Sequence, residues 1–230
     1  GNDIYNEKIK DLLIDKDSKK YQNNINKIKD IHKKSNYIEY LRIKGNGNNI
    51  KIDGLNIWND IKNINDIEKA LKIGNENRSI GVTNMNEHSS RSHSILTIYI
   101  NGLNIKTNTK LISKLNLIDL AGSERVSRSE ATGNRLKEAQ NINKSLSALG
   151  NVIESLKKKN NHIPFRDSKL THLLQESLSN QSKVLMFVNI SPNYIDIDET
   201  FCSLLFANRV RNTALGQAKK NIIHNNNINN

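Results

Sequence analysis

A single cysteine, Cys202, stands in 230 residues, so an internal disulfide and any cysteine-rich metal site are excluded. It lies in an apolar helical pattern, where a buried, inert thiol is expected. The six histidines show no metal-ligand spacing, and His88 and His93 sit in a serine-rich stretch rather than on an evident helix. No structural metal is expected. Aromatic residues make up only 5%. No RNP-like aromatic motif, zinc-finger spacing or recognition-helix signature occurs, which argues against a nucleic-acid binder. No apolar run approaches the roughly 18 residues that would span a bilayer, and no signal peptide opens the chain. A soluble intracellular protein, with neither membrane nor nucleic-acid partner, is the expectation.

What is abundant is polarity. Hydrophobic residues account for 36% and charged residues for 25%, and Asn and Lys crowd into local stretches. The length suits one domain, and the core must be carried by a few strongly apolar segments. The net charge of +12 favours a polyanionic partner: nucleic acid, an acidic membrane surface or an acidic protein polymer. Charge alone does not choose among them, and in an Asn/Lys-rich chain part of it is explained equally by compositional drift.

Residues 4–13 read as the end of a structured element, and residues 16–35 as a flexible polar insertion. Residues 37–43 and 49–55 are short β-prone runs around Gly45-Asn46-Gly47, a hairpin signal. Asn65 and Glu68 form a candidate capping box for a helix with Ile67, Ala70 and Leu71 inward and Gly74 near its stop. Residues 95–100 and 115–120 read as covered strands. From Asn141 a helix repeats Ile142, Leu146, Leu149, Ile153 and Leu156, closed by Lys157, Lys158 and Lys159. A second helix covers 168–178, with Leu170, Leu173, Leu174 and Leu178 apolar. Residues 184–190 read as a buried strand, and a last amphipathic helix carries Phe201, Leu204, Leu205 and Val210. The Asn-rich end is expected to be disordered. Strands alternating with helices predict an α/β fold, and the hairpin makes its sheet mixed rather than purely parallel.

Two stretches carry chemistry. In LNLIDLAGSE (115–124) a buried strand ends at Asp119, where open α/β sheets bind ligands. An Asp there holds Mg²⁺ through water, and Gly122 lets a backbone N–H approach a terminal phosphate without a Cβ in the way. Alone the pattern is unspecific, since any strand-to-turn exit can read Asp-x-x-Gly. In NEHSSRSH (86–93) the hydroxyls of Ser89 and Ser90 suit Mg²⁺ and phosphate oxygens, and Arg91 supplies a fixed cation. A plain serine-rich surface loop explains that stretch equally well in isolation.

Taken in order, YNEKIKDLL, NEHSSRSH, LNLIDLAGSER, NINKSLSALGNVI, HIPFRDSKLTHLLQESL and ETFCSLLFANRVRN resemble the kinesin motor domain from Ile4 to about Gln217. The resemblance implies a three-layer α/β/α P-loop NTPase motor, of which residues 1–216 are the C-terminal portion and 217–230 a tail. It implies an ATPase that uses ATP and Mg²⁺ and works on microtubules in the cytoskeleton or spindle. NEHSSRSH matches switch I: Ser89 and Ser90 would contact Mg²⁺ and the attacking water, and Asn86 would belong to the nucleotide pocket. LIDLAGSE matches switch II: Asp119 would hold a Mg²⁺-bound water and the Gly122 N–H would sense the γ-phosphate. Arg91 and Glu124 match the pair that closes a salt bridge between the switches. The helix from Asn141 matches the relay helix. Arg135, Lys137, Lys144, Lys157, Lys158 and Lys159, with Arg166 and Lys169, would then face acidic tubulin. Each lysine singly reads as well as a solvated face; the patch is the stronger signal.

RVSRSEATGNRLKEAQ and FANRVRNTALGQAKK are most similar to the C-terminal-motor subfamily. That likeness implies minus-end-directed movement and a parent protein that dimerises through an upstream coiled coil. No stretch matches G-x-x-x-x-G-K-[ST], so the N-terminal part with the phosphate-binding loop is expected to be missing. The isolated chain is accordingly expected to bind ATP poorly and to be marginally stable. The rival readings are a non-catalytic microtubule binder derived from a kinesin, and a nucleic-acid binder suggested by charge alone.

Overall fold

Two long strands organise the molecule. In the computed structural model, which describes residues 2–5, 7–14, 41–45, 50–59, 61–79, 90–123, 134–178, 182–215 and 222–224, β5 (His93–Asn104) and β6 (Thr109–Asp119) form an antiparallel hairpin. Their β-branched runs favour the pleat. The Asn104 side chain closes the turn, its Oδ1 accepting from the N–H of Lys106 at 3.0 Å and of Thr107 at 3.2 Å. β1 (Asn2–Tyr5) and β2 (Lys8–Asp11) extend the sheet on one side and β7 (Ile222–His224) on the other, in the order β2-β1-β5-β6-β7. Every described pairing in it is antiparallel, so the sheet is not the purely parallel one that the hairpin signal already argued against. β3 (Arg42–Lys44) and β4 (Lys51–Asp53) make the expected small hairpin, with Gly45 at φ 89.

Helix α1 (Ile64–Ser79) begins earlier than the Asn65/Glu68 signal suggested. Asn63 caps it, accepting from the Asp66 N–H at 3.1 Å, while Asp66 accepts back from the Asn63 N–H at 3.3 Å. It also runs through Gly74, where a Cβ would meet the Leu12 Cβ at 3.8 Å, an ordinary contact. Leu71 proves exposed.

Helix α2 (Asn134–Lys157) starts seven residues before the expected Asn141. With α3 (Lys169–Leu174) it builds the core. Leu149, Val152 and Ile153 of α2 and Leu170, Leu174 and Leu178 meet Ile4, Ile9 and Ile95 of the sheet, all buried. Ser168 and Thr171 form a reciprocal capping box at the start of α3. A 3-10 turn (Phe165–Asp167) precedes it. The last helix, α4 (Ile197–Arg211), turns Phe206 and Val210 toward this core and leaves Phe201, Leu204 and Leu205 exposed.

Three expectations are corrected. Residues 184–190 carry no regular secondary structure and pair with no strand among the described residues, and Leu185 and Phe187 are about four-fifths exposed. The strands at 95–100 and 115–120 exist, yet neither is covered along its length: Tyr99, Ile100, Leu115, Leu117 and Ile118, which fall on both faces, are all exposed. An apolar run specifies a strand that wants cover on both faces, not the element that supplies the cover. Finally, residues 222–224 depart from the expected disorder of the tail, because β-branched Ile222 and Ile223 complete the open edge of β6 at Lys110 and Leu111. The insertion at 16–35 lies outside the described residues.

Helix α2 ends in a Schellman motif. The Lys159 N–H donates to the Leu156 carbonyl at 3.1 Å and the Asn160 N–H to that of Ser155 at 3.0 Å, with Lys159 itself left-handed at φ 53. Glycine is the favoured residue there, and a side chain in this region costs about 1 kcal/mol. Lys159→Gly is therefore expected to raise the melting temperature of the protein by about 2–4 °C; a scan showing an unchanged or lower temperature would contradict the motif.

Candidate functional site

The β5–β6 register decides what can meet. Ser94 pairs with Asp119, so the loop entering β5 and the loop leaving β6 emerge together at one end of the hairpin. There the Gly122 N–H donates to the Ser90 carbonyl at 2.7 Å. The two serine- and glycine-bearing loops that stood thirty residues apart in sequence are thus joined backbone to backbone.

Arg78, from the last turn of α1, ties the same junction together. Its Nη1 donates to Asp119 Oδ2 at 2.7 Å, its Nη2 to the Ser92 carbonyl at 2.9 Å and its Nε to Ser92 Oγ at 3.2 Å. The carboxylate of Asp3, fully buried on β1, lies 3.7 Å from the Nε. A fixed guanidinium fork suits this three-way role, which a lysine could not reproduce. The sequence reading missed Arg78 because it stopped α1 near Gly74, leaving Arg78 unplaced. Four more residues of helix carry it to the junction.

His93, the first residue of β5, is buried at 2% exposure. Its Nδ1 accepts from the Ala121 N–H at 2.9 Å, and its Nε2 lies 2.7 Å from Ser145 Oγ. A backbone N–H can only donate, so Nδ1 is the bare nitrogen and the proton sits on Nε2. Ser145 Oγ accepts it and donates its own proton to the Ile142 carbonyl at 2.7 Å. Every direction in the chain is fixed. Burial first, then the Arg78 cation, hold the His93 pKa down to about 4, against a smaller opposing pull from Asp119. The imidazole is therefore neutral.

Asp119 keeps a side chain that is 68% exposed at the strand end. With Ser90 held to Gly122 three residues further on, the available donors are hard oxygens, which fit a magnesium ion held partly through water. Such an ion would supply charge neutralisation for phosphate oxygens. Of the expected site residues, the structure brings Ser90, Asp119 and Gly122 together and puts Arg91 next in the chain, half-buried. Asn86, Ser89 and Glu124 lie outside the described residues, and with them the expected Arg91–Glu124 bridge.

The expected basic patch lies on α2, the 3-10 turn and α3. Lys137, Lys144, Lys157, Lys158, Lys159, Arg166 and Lys169 are all exposed, while the Arg135 side chain lies outside the described residues. Lys158 pairs with Glu154 at 3.3 Å, and the Lys169 N–H donates to Glu7 at 2.7 Å. Partial burial, then Arg166 and Lys169, lower the pKa of His172, a local sign of concentrated positive charge.

His93 gives the site an acid limit. Folded, it takes up a proton only near pH 4, whereas the unfolded chain does so near 6.5. The unfolded state therefore binds more protons between these values, and stability falls as pH drops from 6.5 toward 4, by about 3 kcal/mol. Above 6.5 the contribution is complete. Chemical denaturation at pH 7 and pH 5 should show a smaller acid loss in His93→Gln than in the parent; equal losses would show that His93 is not the group responsible.

The kinesin motor domain family model matches residues 2–213 of the chain. The rice (Oryza sativa subsp. japonica) kinesin-like protein KIN-14R is 59% identical over 162 residues, covering 70% of this chain and 16% of its own length. Arabidopsis thaliana KIN-14Q is 46% identical over 220 residues, covering 96% of this chain and 17% of its own length. Among solved structures, a KIF14 dimer in a two-heads-bound state, with AMP-PNP and in complex with a microtubule, superposes with a TM-score of 0.79. It is 35% identical, with 99% of this chain and 60% of that one covered. The chain thus spans under a fifth of the curated relatives' length. Motif order, the joined loops at the end of β5 and β6, and a family match over nearly the full chain agree: the chain belongs to the kinesin motor domain family, with C-terminal-motor KIN-14 kinesins among its relatives.

Proposed function

We propose that this chain is the switch and track-binding portion of an ATP-driven, minus-end-directed microtubule motor. The observation that carries the reading is the bond from the Gly122 N–H to the Ser90 carbonyl, 2.7 Å long, beside the exposed carboxylate of Asp119. It links the loop that would sense the γ-phosphate to the loop that would hold the attacking water. In this reading Gly122 exchanges the Ser90 carbonyl for a phosphate oxygen, and Ser89, Ser90 and Asp119 position magnesium and water. Arg91 and Glu124 then lock the loops closed. The protein's part in hydrolysis is positioning and charge stabilisation.

Arg78 adds a condition to that cycle. Its guanidinium already occupies one oxygen of Asp119, so it fixes the carboxylate's orientation before nucleotide arrives. The exposed cations of α2 and of the Arg166–Lys169 region supply the face for acidic tubulin, an attraction that weakens with salt. KIF14 on a microtubule supports this partner, and the KIN-14 relatives support minus-end movement. Cytoskeletal location and homodimerisation through a coiled coil follow from the same reading.

The full-length native protein is expected to hydrolyse ATP faster with microtubules than without. Asp119→Asn and Gly122→Ala should each lower that turnover by about 100-fold or more, the scale of losing one preorganised charge-stabilising group. With no G-x-x-x-x-G-K-[ST] pattern in its sequence, the isolated chain is expected not to turn over. Nucleotide-independent sedimentation with microtubules and no turnover in the full-length protein would overturn the motor reading in favour of a retired motor.

A further inference from the structure

His93 joins three elements that a motor must move relative to one another. It belongs to β5, it holds the Ala121 N–H in the loop after β6, and it holds Ser145 in the middle of α2. The buried serine passes the link on to the Ile142 carbonyl, one turn back along the same helix. Ala121 and Gly122 are successive residues. Their amides are held by different partners, one by His93 and the other by Ser90. A rotation that releases the Gly122 N–H from Ser90 must therefore turn the peptide beside the one His93 holds. The imidazole is planar and stiff, its tautomer is dictated by its partners, and it is buried.

We propose that His93 is a positioning residue that transmits movement of the Ala121–Gly122 loop to helix α2 through a single directed hydrogen-bond chain, Ala121 N–H to His93 to Ser145. The proposal rests on the motor reading for its consequence, since α2 carries the track-facing cations. Lys144, adjacent to Ser145, is exposed, as are Lys137 and Lys157 nearer the helix ends. All three lie on the same continuous helix as Ser145, so a shift delivered there is passed along its hydrogen-bonded backbone. An ordinary satisfied core histidine would need only one partner and would not bridge a loop and a helix.

The test is a double-variant cycle in the full-length native protein. His93→Asn keeps an acceptor where Nδ1 stood but falls short of Ser145, and Ser145→Ala removes the far partner while leaving the imidazole on Ala121. Each is expected to reduce the ratio of microtubule-stimulated to basal turnover by about 5- to 10-fold, the scale of one buried hydrogen bond. The double variant should be no worse than the more severe single. A role in stability alone would lower basal and stimulated turnover in proportion and leave the ratio unchanged, which would overturn the proposal, as would additive losses. A second readout is independent of turnover. The ¹⁵N spectrum of labelled His93 should show the Nε2–H tautomer with Nδ1 accepting, and Ser145→Ala should shift Nε2 while leaving Nδ1 in place. An Nδ1–H or averaged tautomer overturns the strut. Absence of microtubule stimulation in the parent protein, with the tautomer as expected, defeats the motor reading and leaves the strut standing.

Discussion

The pairing of Ser94 with Asp119 is the constraint on which the rest depends. Antiparallel register sets which residues of β5 and β6 share a face, and a slip of one residue would exchange every inward side chain for its neighbour. In the observed register His93 points into the core at the mouth of the hairpin, Asp119 points out, and Ser90 and Gly122 are close enough to share a hydrogen bond. Arg78 then closes the gap between α1 and the hairpin, with Asp3 of the neighbouring strand behind it. A buried polar cluster of this kind is stabilising only when its members are satisfied together. That condition makes it a good place to register a small displacement.

Much of this was legible from the sequence. Continuous β-branched and apolar runs located β5 and β6, and leucine spacing located α2 and α3, because burial of one helix face leaves a periodic mark. Asp119 and Gly122 were unspecific alone and gained weight only beside NEHSSRSH and the other motifs in order. The resemblance to kinesins rested on the order of several long motifs, and the family match and the relatives support it. Arg78 and Ser145 were not legible. Each works through a partner more than ten residues away, and a lone arginine at a helix end or a serine in a helix carries no local signature of that. His93 was noted only for lacking a metal-like neighbour. Its role appears once β5 places it between Ala121 and Ser145.

The errors share one physical cause. Sequence patterns report what a segment wants to bury, not what is available to bury it. Residues 184–190 have the composition of a core strand and yet expose Phe187, and Leu115 and Leu117 look out from an otherwise orderly sheet. Helix ends also differ from the pattern: Gly74 reads as a stop, but the helix continues through it to Ser79. Lys159 shows the opposite compromise, a charged residue kept in a left-handed position at some expense to stability.

The loop before β5, the loop after β6 and helix α2 meet through the amides of Ala121 and Gly122 and the His93 ring. Amide hydrogen exchange of the native protein, with and without a non-hydrolysable ATP analogue, reads both positions directly. The account predicts that Ala121 is strongly protected in both states, held by His93, while the protection of Gly122 changes with nucleotide as its partner changes. Rapid exchange at Ala121, or protection of Gly122 that is indifferent to nucleotide, would contradict it.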